Sequence, residues 1–424
     1  MKTRSFAIKG DICYSTGKNE LLTLENHYLI CKDGLSAGVY KSMPEEYSEL
    51  DVFDYSGMLV IPGLVDLHIH APQFTFRGLG MDDELLDWLN NHAFPEESKY
   101  SNLEYAKEAY ADFAEAMKKS ATTRACIFGT VHVPATELLM DLMEKTGLHT
   151  FVGKVNMDRN VPDYLIEDTD QSARDTNAWA ASVSNRYKNT KPILTPRFIP
   201  TCSDKLMQML REIQEKFRLP LQSHISENQA EMAWVESLCP NAKFYGDAYD
   251  QFKLFGNDVP TIMAHCVLSG DKELERIKSN GVFIAHCPQS NTNLSSGIAP
   301  VRKFLDMDLH CGLGSDVAGG SSESIFRAMS DAIQMSKMRW RLSDNELKPL
   351  NFKEAFYLGT KGGGEFFGRV GSFEKGYELD AVVINDEPPK HFGQITLKER
   401  LERHIYLSTG RAVSHKFVSG TQIF

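Results

Sequence analysis

The sequence predicts an α/β chain: a (β/α)8 TIM-type barrel carrying a small β-sandwich formed by both termini. Three observations predict it. Apolar strand-like runs alternate with helical periodicity from about residue 60 to about residue 340. Both ends of the chain lose that rhythm and read as short strands and turns. Histidines and acids recur at the far ends of the runs, where the strands of a barrel converge on one face.

Eight runs read as the barrel strands, in chain order: LVIPGLVDLHIH, TTRACIFGTV, TFVGKVNM, PILTPRFIP, LPLQSHIS, PTIMAHCV, GVFIAHCP and LHCGLGSD. Between them lie amphipathic stretches such as EYAKEAYADFAEAMKK, DKLMQMLREIQEKF and DKELERIKSNG, with apolar residues at i, i+3 and i+4. A doubly wound open sheet is the structural alternative, but the sequence lacks its G-x-G-x-x-G turn. The ends (FAIKGDICYS and HYLICKDGLSAGVY before, GYELDAVVIND after) suggest the sandwich. The expected division is residues 1–60 and 371–424 for the two parts of the sandwich and 61–370 for the barrel. Gly362 to Gly364 read as a turn, since no G-K-[ST] follows to make a phosphate cradle.

Composition narrows the function classes. The chain has 424 residues, 42% hydrophobic and 24% charged, an ordinary globular balance. With 57 acids against 46 bases the net charge is −11 and no basic run stands out, which argues against nucleic acid as a partner. The N-terminal stretch MKTRSFAIKGDICYS lacks the apolar centre of a signal peptide, and no window approaches a membrane span, so no membrane association is expected. Eight cysteines are scattered from Cys13 to Cys311 without a C-x-x-C pair, as suits free thiols in a reducing compartment, by default the cytoplasm.

The chemistry starts at IPGLVDLHIHA, residues 61 to 71. Side chains two apart on a strand point the same way, so His68 and His70 share a face. Two neutral imidazoles side by side begin a metal site. His224 ends the fifth run in LQSHISE with Glu227 three residues on; His265 ends the sixth in IMAHCV; Asp316 ends the eighth in GLGSD. Each has an ordinary reading alone, His224 as a buried histidine and Asp316 as a helix cap. Together, at the same end of successive strands, they point to a metal centre. His286, in AHCP at the end of the seventh run, reads as structural lining.

PGLVDLHIH, SHISE, AHC and GLGSD resemble the metal-binding motifs of the amidohydrolase superfamily, in their expected order. Within it HIHAPQF, TPRF, QSHISEN, FIAHCPQSN and GLGSDVAGG resemble the guanine deaminase family, and the resemblance covers nearly the whole chain. It implies that His68, His70, His224 and Asp316 hold one zinc ion per chain, with iron a credible substitute. It makes Glu227 the proton shuttle, His265 the histidine that contacts the activated water, and Asp316 an acceptor for the remaining proton. Gln73, Arg197 and Phe198 match positions that contact the purine, so guanine is the expected substrate and a homodimer the expected assembly. Lys154, on the third run, is where two-metal relatives carry a carbamylated lysine; it reads here as non-ligating. The competing readings are a deaminase or dechlorinase of another ring (a cytosine, an adenosine derivative or a triazine), a two-metal amide hydrolase using Lys154, and a barrel scaffold without activity. The H-x-E and P-C-x-x-C motifs of cytidine-type deaminases are absent from the sequence.

Overall fold

The computed structural model describes residues 5–386, 393–407 and 412–424. The first four residues, and two short parts of the 371–424 span, lie outside the described residues. Four strands precede the barrel: β1 (Phe6–Gly17), β2 (Glu20–Lys32), β3 (Leu35–Tyr40) and β4 (Val52–Pro62). The barrel contributes β5 (Leu64–His70), β6 (Thr122–Phe128), β7 (His149–Gly153), a short β8 (Val155–Asn156), β9 (Thr190–Pro192), a short β10 (Thr195–Pro196), β11 (Leu221–Ile225), β12 (Thr261–His265), β13 (Phe283–His286) and β14 (Cys311–Leu313). β15 (Ala381–Ile384), β16 (Val413–Val418) and β17 (Thr421–Gln422) close the chain.

The barrel strands pair in parallel in the orders β5-β6-β7-β9 and β11-β12-β13-β14. Backbone bonds close both seams. At one, the Leu194 amide donates to the Pro220 carbonyl and the Gln222 amide to the Leu194 carbonyl, at 2.8 and 3.0 Å. At the other, the Asp316 amide donates to the His68 carbonyl at 2.8 Å and the His70 amide to the Val317 carbonyl at 3.2 Å. The fourth run, PILTPRFIP, is broken into β9 and β10. Pro192 and Pro196 bring no backbone donor, so the ladder is interrupted where they sit. Beyond the break β10 pairs in parallel with β8, continuing the contact between the third and fourth runs.

The helices follow the periodicity closely. Helix Asp204–Phe217 is capped by the Ser203 side chain, which accepts from the Leu206 amide. Helix Asp271–Asn280 stops at Gly281, whose φ of +65° suits a residue without a Cβ. The glycine run departs from expectation. Gly362 to Gly364 are wound into helical turn rather than a loop, following the π-helical stretch Leu358–Gly362. The reason is contact: a Cβ on Gly312 would stand 2.6 Å from the Gly363 Cα, and one on Gly363 would press on Val65 at 3.2 Å. The glycines let this turn lie directly against β5 and β14.

The small β-sandwich draws its strands from both termini, hydrogen-bonded in the order β17-β16-β15-β4-β1-β2-β3 among the described residues. Alternation along β4 and β15 divides its side chains between two cores. Val60, Ala381 and Val383 join Phe6, Ile8 and Phe417 in the domain's own cluster. Leu59, Ile61, Val382 and Ile384 face the barrel core.

One ion-pair network ties the two units together. Arg124, on β6 and 2% exposed, donates from Nε and Nη2 to the buried Asp380 at 2.7 and 3.0 Å, and from Nη2 to Glu378 at 2.8 Å. Burial alone would raise the Asp380 carboxyl, but the Arg124 guanidinium outweighs it and holds it below the ordinary carboxylate range. Arg124→Met strands that carboxylate, and should cost about 3–5 kcal/mol of stability, the usual cost of breaking a buried pair. Chemical denaturation of the variant checks this, and Arg124→Met/Asp380→Asn should recover part of the loss.

Candidate active site

The barrel delivers the site side chains from strand ends. β5 is buried along its whole length and presents His68 and His70 on one face. Their Nε2 atoms lie 3.2 Å apart, and the His70 Nε2 is also 3.2 Å from the His224 Nε2. Asp316 Oδ1 stands 3.2 Å from the His68 Nε2 and 3.5 Å from the His70 Nε2. His265 approaches from β12, its Nε2 3.2 Å from Glu227 Oε2 and 3.8 Å from Asp316 Oδ2. Donor atoms of His68, His224 and His265 fall within one another's reach for a single ion.

Sharp backbone turns bring these groups inward. His265 has φ +80°, Cys266 +51°, Ser226 +50° and Asp316 +48°. Non-glycine residues pay about 1–2 kcal/mol each in this left-handed region, and such residues gather at functional sites. Close packing supports the turn at Asp316: a Cβ on Gly314 would meet the Cys287 Sγ and the His68 Cβ, both at 2.8 Å. The second-strand residue Phe128 packs its ring against His68, His70 and His224, with centroids 4.9, 4.5 and 4.9 Å away.

The donor set fits a metal ion. His224 Nδ1 stands 2.6 Å from the Arg197 carbonyl, an acceptor only, which assigns the proton to Nδ1 and leaves Nε2 with its lone pair facing the cluster. Burial, then the neighbouring imidazoles, hold His224 and His70 well below the ordinary histidine range, so both are neutral. Burial would raise Asp316, but His68, His265 and His70 outweigh it and keep the carboxyl well below its ordinary range. Hydrogen bonds alone do not satisfy three converging imidazole nitrogens beside a carboxylate; a cation does.

Glu227 lies at the mouth of this cluster. Burial, then the Asp316 charge, pushes its carboxyl well above the ordinary range, while Ser296 Oγ donates to Oε1 at 3.2 Å. His265 is held from behind, its Nδ1 2.9 Å from Asn291 Oδ1.

A cavity with about 400 Å³ of empty space, including its open mouth, sits over the cluster. Polar walls come from Gln73, Arg197, Glu227 and Asp316; Leu85, Trp88, Leu89 and Phe198 supply the apolar ones. Arg197 is buried and paired with Glu97 Oε2 at 2.5 Å. Gln73 Nε2 donates to Glu97 Oε1 at 2.8 Å, and the Ala318 amide donates to Gln73 Oε1 at 3.0 Å.

The structure therefore brings His68, His70, Gln73, Arg197, Phe198, His224, Glu227, His265 and Asp316 to one place. Lys154 is buried elsewhere, its ammonium bonded to Glu167 and to Ser172 Oγ. His286 is buried with neither ring nitrogen hydrogen-bonded among the described residues. Sequence reasoning missed Glu97, Asn291, Ser296 and Phe128. It also missed Asp66, which accepts from the His68 and Ser315 amides and from Ser315 Oγ. The strand period marked Asp66 as sharing the His68 face; the others had no local signal.

The chain is similar to known proteins over most of its length. A profile described as "Amidohydrolase family" matches residues 59–423. Guanine deaminase of Dictyostelium discoideum is 39% identical over 380 residues, covering 88% of this chain and 84% of the relative. That of Homo sapiens is 40% identical over 379 residues, covering 86% and 82%. A crystal structure of guanine deaminase from C. acetobutylicum, with guanine bound in its active site, superposes with a TM-score of 0.96 at 44% identity and covers 99% of this chain and 100% of that one.

Three imidazoles and a carboxylate meeting in one buried cluster predict close to one transition-metal ion per purified chain by elemental analysis. His224→Ala should lose that metal, and a chelator should abolish activity. Two tightly bound ions per chain would favour a role for Lys154.

Proposed function

The chain belongs to the amidohydrolase family, and we propose from its site that it hydrolyses guanine to xanthine and ammonia. One observation carries the reading. The cavity places an arginine, a glutamine amide and an aromatic ring opposite a cluster of three histidines and a carboxylate. His68, His70, His224 and Asp316, whose facing atoms lie 3.2 to 3.5 Å apart, would hold a single metal, zinc in the first instance. When bound, such an ion is a Lewis acid that lets water act as a nucleophile near neutral pH.

The chain's own residues do the proton work. Glu227 takes a proton from the attacking water, whose oxygen bonds to C2. As that bond forms, charge builds on the neighbouring ring nitrogen, and Glu227 delivers its proton there. The raised affinity of this carboxyl suits a group that must both accept and donate at neutral pH. His265, held by Asn291, keeps the nucleophile in line with C2. Asp316 receives the remaining hydroxyl proton and passes it to the amine; C2–N breaks, ammonia leaves and the C2 carbonyl forms. Arg197 offers only donors, which suits the carbonyl oxygen and unprotonated nitrogen at the other edge of guanine better than the amino group of adenine. Phe198 covers the ring.

The same reading takes the protein to be a cytoplasmic homodimer. Eight cysteines, none of them in a disulfide, support the reducing compartment. An exposed groove bearing Leu103, Tyr164 and Ile166 supports a self-contact. No helix among the described residues is long and apolar enough to cross a membrane.

Purified protein given a panel of purines, pyrimidines and triazines should release ammonia fastest from guanine; preference for adenine or cytosine would overturn the assignment. Glu227→Gln should keep its metal while kcat falls by roughly 10²-fold or more, the usual contribution of a general acid–base. Arg197→Ala should also keep its metal and lose roughly 10- to 150-fold in kcat/KM on guanine, the cost of a hydrogen bond from a charged donor.

A further inference from the structure

Both groups assigned to the purine edge converge on one carboxylate that sequence reasoning did not single out. Glu97, 1% exposed, accepts from Arg197 Nη1 on Oε2 and from Gln73 Nε2 on Oε1. Its neighbour Glu96 is committed elsewhere, accepting from Thr75 Oγ1 at 2.7 Å and Lys99 Nζ at 2.6 Å, so the two acids are not interchangeable.

The geometry constrains both partners. A carboxylate only accepts hydrogen bonds, so the Gln73 amide must turn its NH2 toward Glu97. Its oxygen then meets the Ala318 amide, which only donates. The amide can sit one way round. Arg197 is fixed twice by one short helix, Phe94–Ser98: Glu97 holds one nitrogen, and the Phe94 ring, one turn earlier, lies 5.1 Å from the guanidinium carbon. The negative charge also offsets a guanidinium buried beside the histidine cluster.

We propose that Glu97 is a positioning residue that sets the specificity of the purine pocket, by fixing the plane of Arg197 and the donor–acceptor sense of Gln73. This rests on the guanine reading above. Glu97 touches neither the reacting carbon nor the metal ligands; it acts through the two side chains that face the ring. Guanine presents a fixed order of acceptors and donors along its edge, and Glu97 together with the Ala318 amide keeps the Gln73 amide in one sense against it.

Glu97→Gln tests this. It keeps shape, but its own NH2 must face Gln73 Nε2 or Arg197 Nη1, both donors. On guanine, KM should rise about tenfold or more while kcat stays within about threefold, the pattern of lost binding shared by ground and transition states. Competitive inhibition by xanthine should weaken in parallel, and metal content should match wild type. Arg197→Ala leaves the Glu97 carboxylate bare against the carbonyl edge, so Arg197→Ala/Glu97→Gln should outperform Arg197→Ala alone. The double variant carries no stranded charge and keeps the test open if the single variant folds poorly. A wild-type KM and xanthine affinity in Glu97→Gln, loss confined to kcat, or a double variant whose losses simply multiply would each overturn the proposal. Wild-type protein inactive on guanine would instead overturn the guanine reading.

Discussion

Three imidazole nitrogens and a carboxylate oxygen held a little over 3 Å apart in a buried space are the constraint that the rest of this structure serves. Such a cluster is useful only while the imidazoles stay neutral and keep their lone pairs inward. For His70 and His224 burial does most of this, since a charged imidazole is costly away from water. Geometry does the remainder: the Arg197 carbonyl assigns the proton of His224 to the far side of its ring, and Phe128 wedges three rings into fixed orientations. The barrel seam answers the same need. Asp66 accepts from the His68 amide and from Ser315, and the Asp316 amide donates to the His68 carbonyl, so the first and last strands are locked where their ligands must meet.

The cluster and the cavity over it share backbone. Arg197 holds His224 with its carbonyl and lines the cavity with its side chain. Gln73 follows His70 by three residues and is bonded to the amide of Ala318, two residues past Asp316. On the proposed function, ring recognition is built onto the same strand ends that place the histidine cluster. A side-chain substitution at Arg197 can alter the cavity wall without dismantling the cluster, because His224 is held by the Arg197 backbone carbonyl and Glu97 by its side chain. This separation is the physical basis on which one barrel can host different ring hydrolyses.

How much of this was legible in the sequence follows the range of the interaction concerned. Period-two alternation exposes His68 and His70, and period 3.6 with a serine cap exposes helix Asp204–Phe217 to within its ends. The convergence of His224, His265 and Asp316 followed from topology once eight alternating runs were counted. The fourth run reads as one strand, and its break into β9 and β10 is not anticipated, although its prolines sit where the ladder is interrupted. The terminal sheet order, with β1 parallel to β4 and β15 antiparallel to it, depends on pairing across most of the chain and leaves no local mark. Glu97 is silent for a related reason. It lies next to a second glutamate in FPEESKY, and Gln73 and Arg197, 24 and 100 residues away, distinguish the two. The Gly362–Gly364 run misled because glycine marks a turn locally, whereas here it answers a contact with β5 and β14.

The left-handed residues at the strand ends complete the argument. An ideal strand would carry His265 and Asp316 onward and away from the axis. Positive φ at His265, Cys266, Ser226 and Asp316 reverses the chain within a residue or two and turns the ligands into the cluster. Glycine would adopt these angles without strain, but glycine has no side chain to ligate, shuttle or pack. The chain accepts the local strain at residues whose chemistry is needed and places glycine beside them, at Gly314, where the contact with His68 leaves no room for a Cβ. The surrounding barrel is buried and hydrogen-bonded enough to hold the strained turns in place. Stability stored in the strands is thereby converted into the precise placement of donors at their ends.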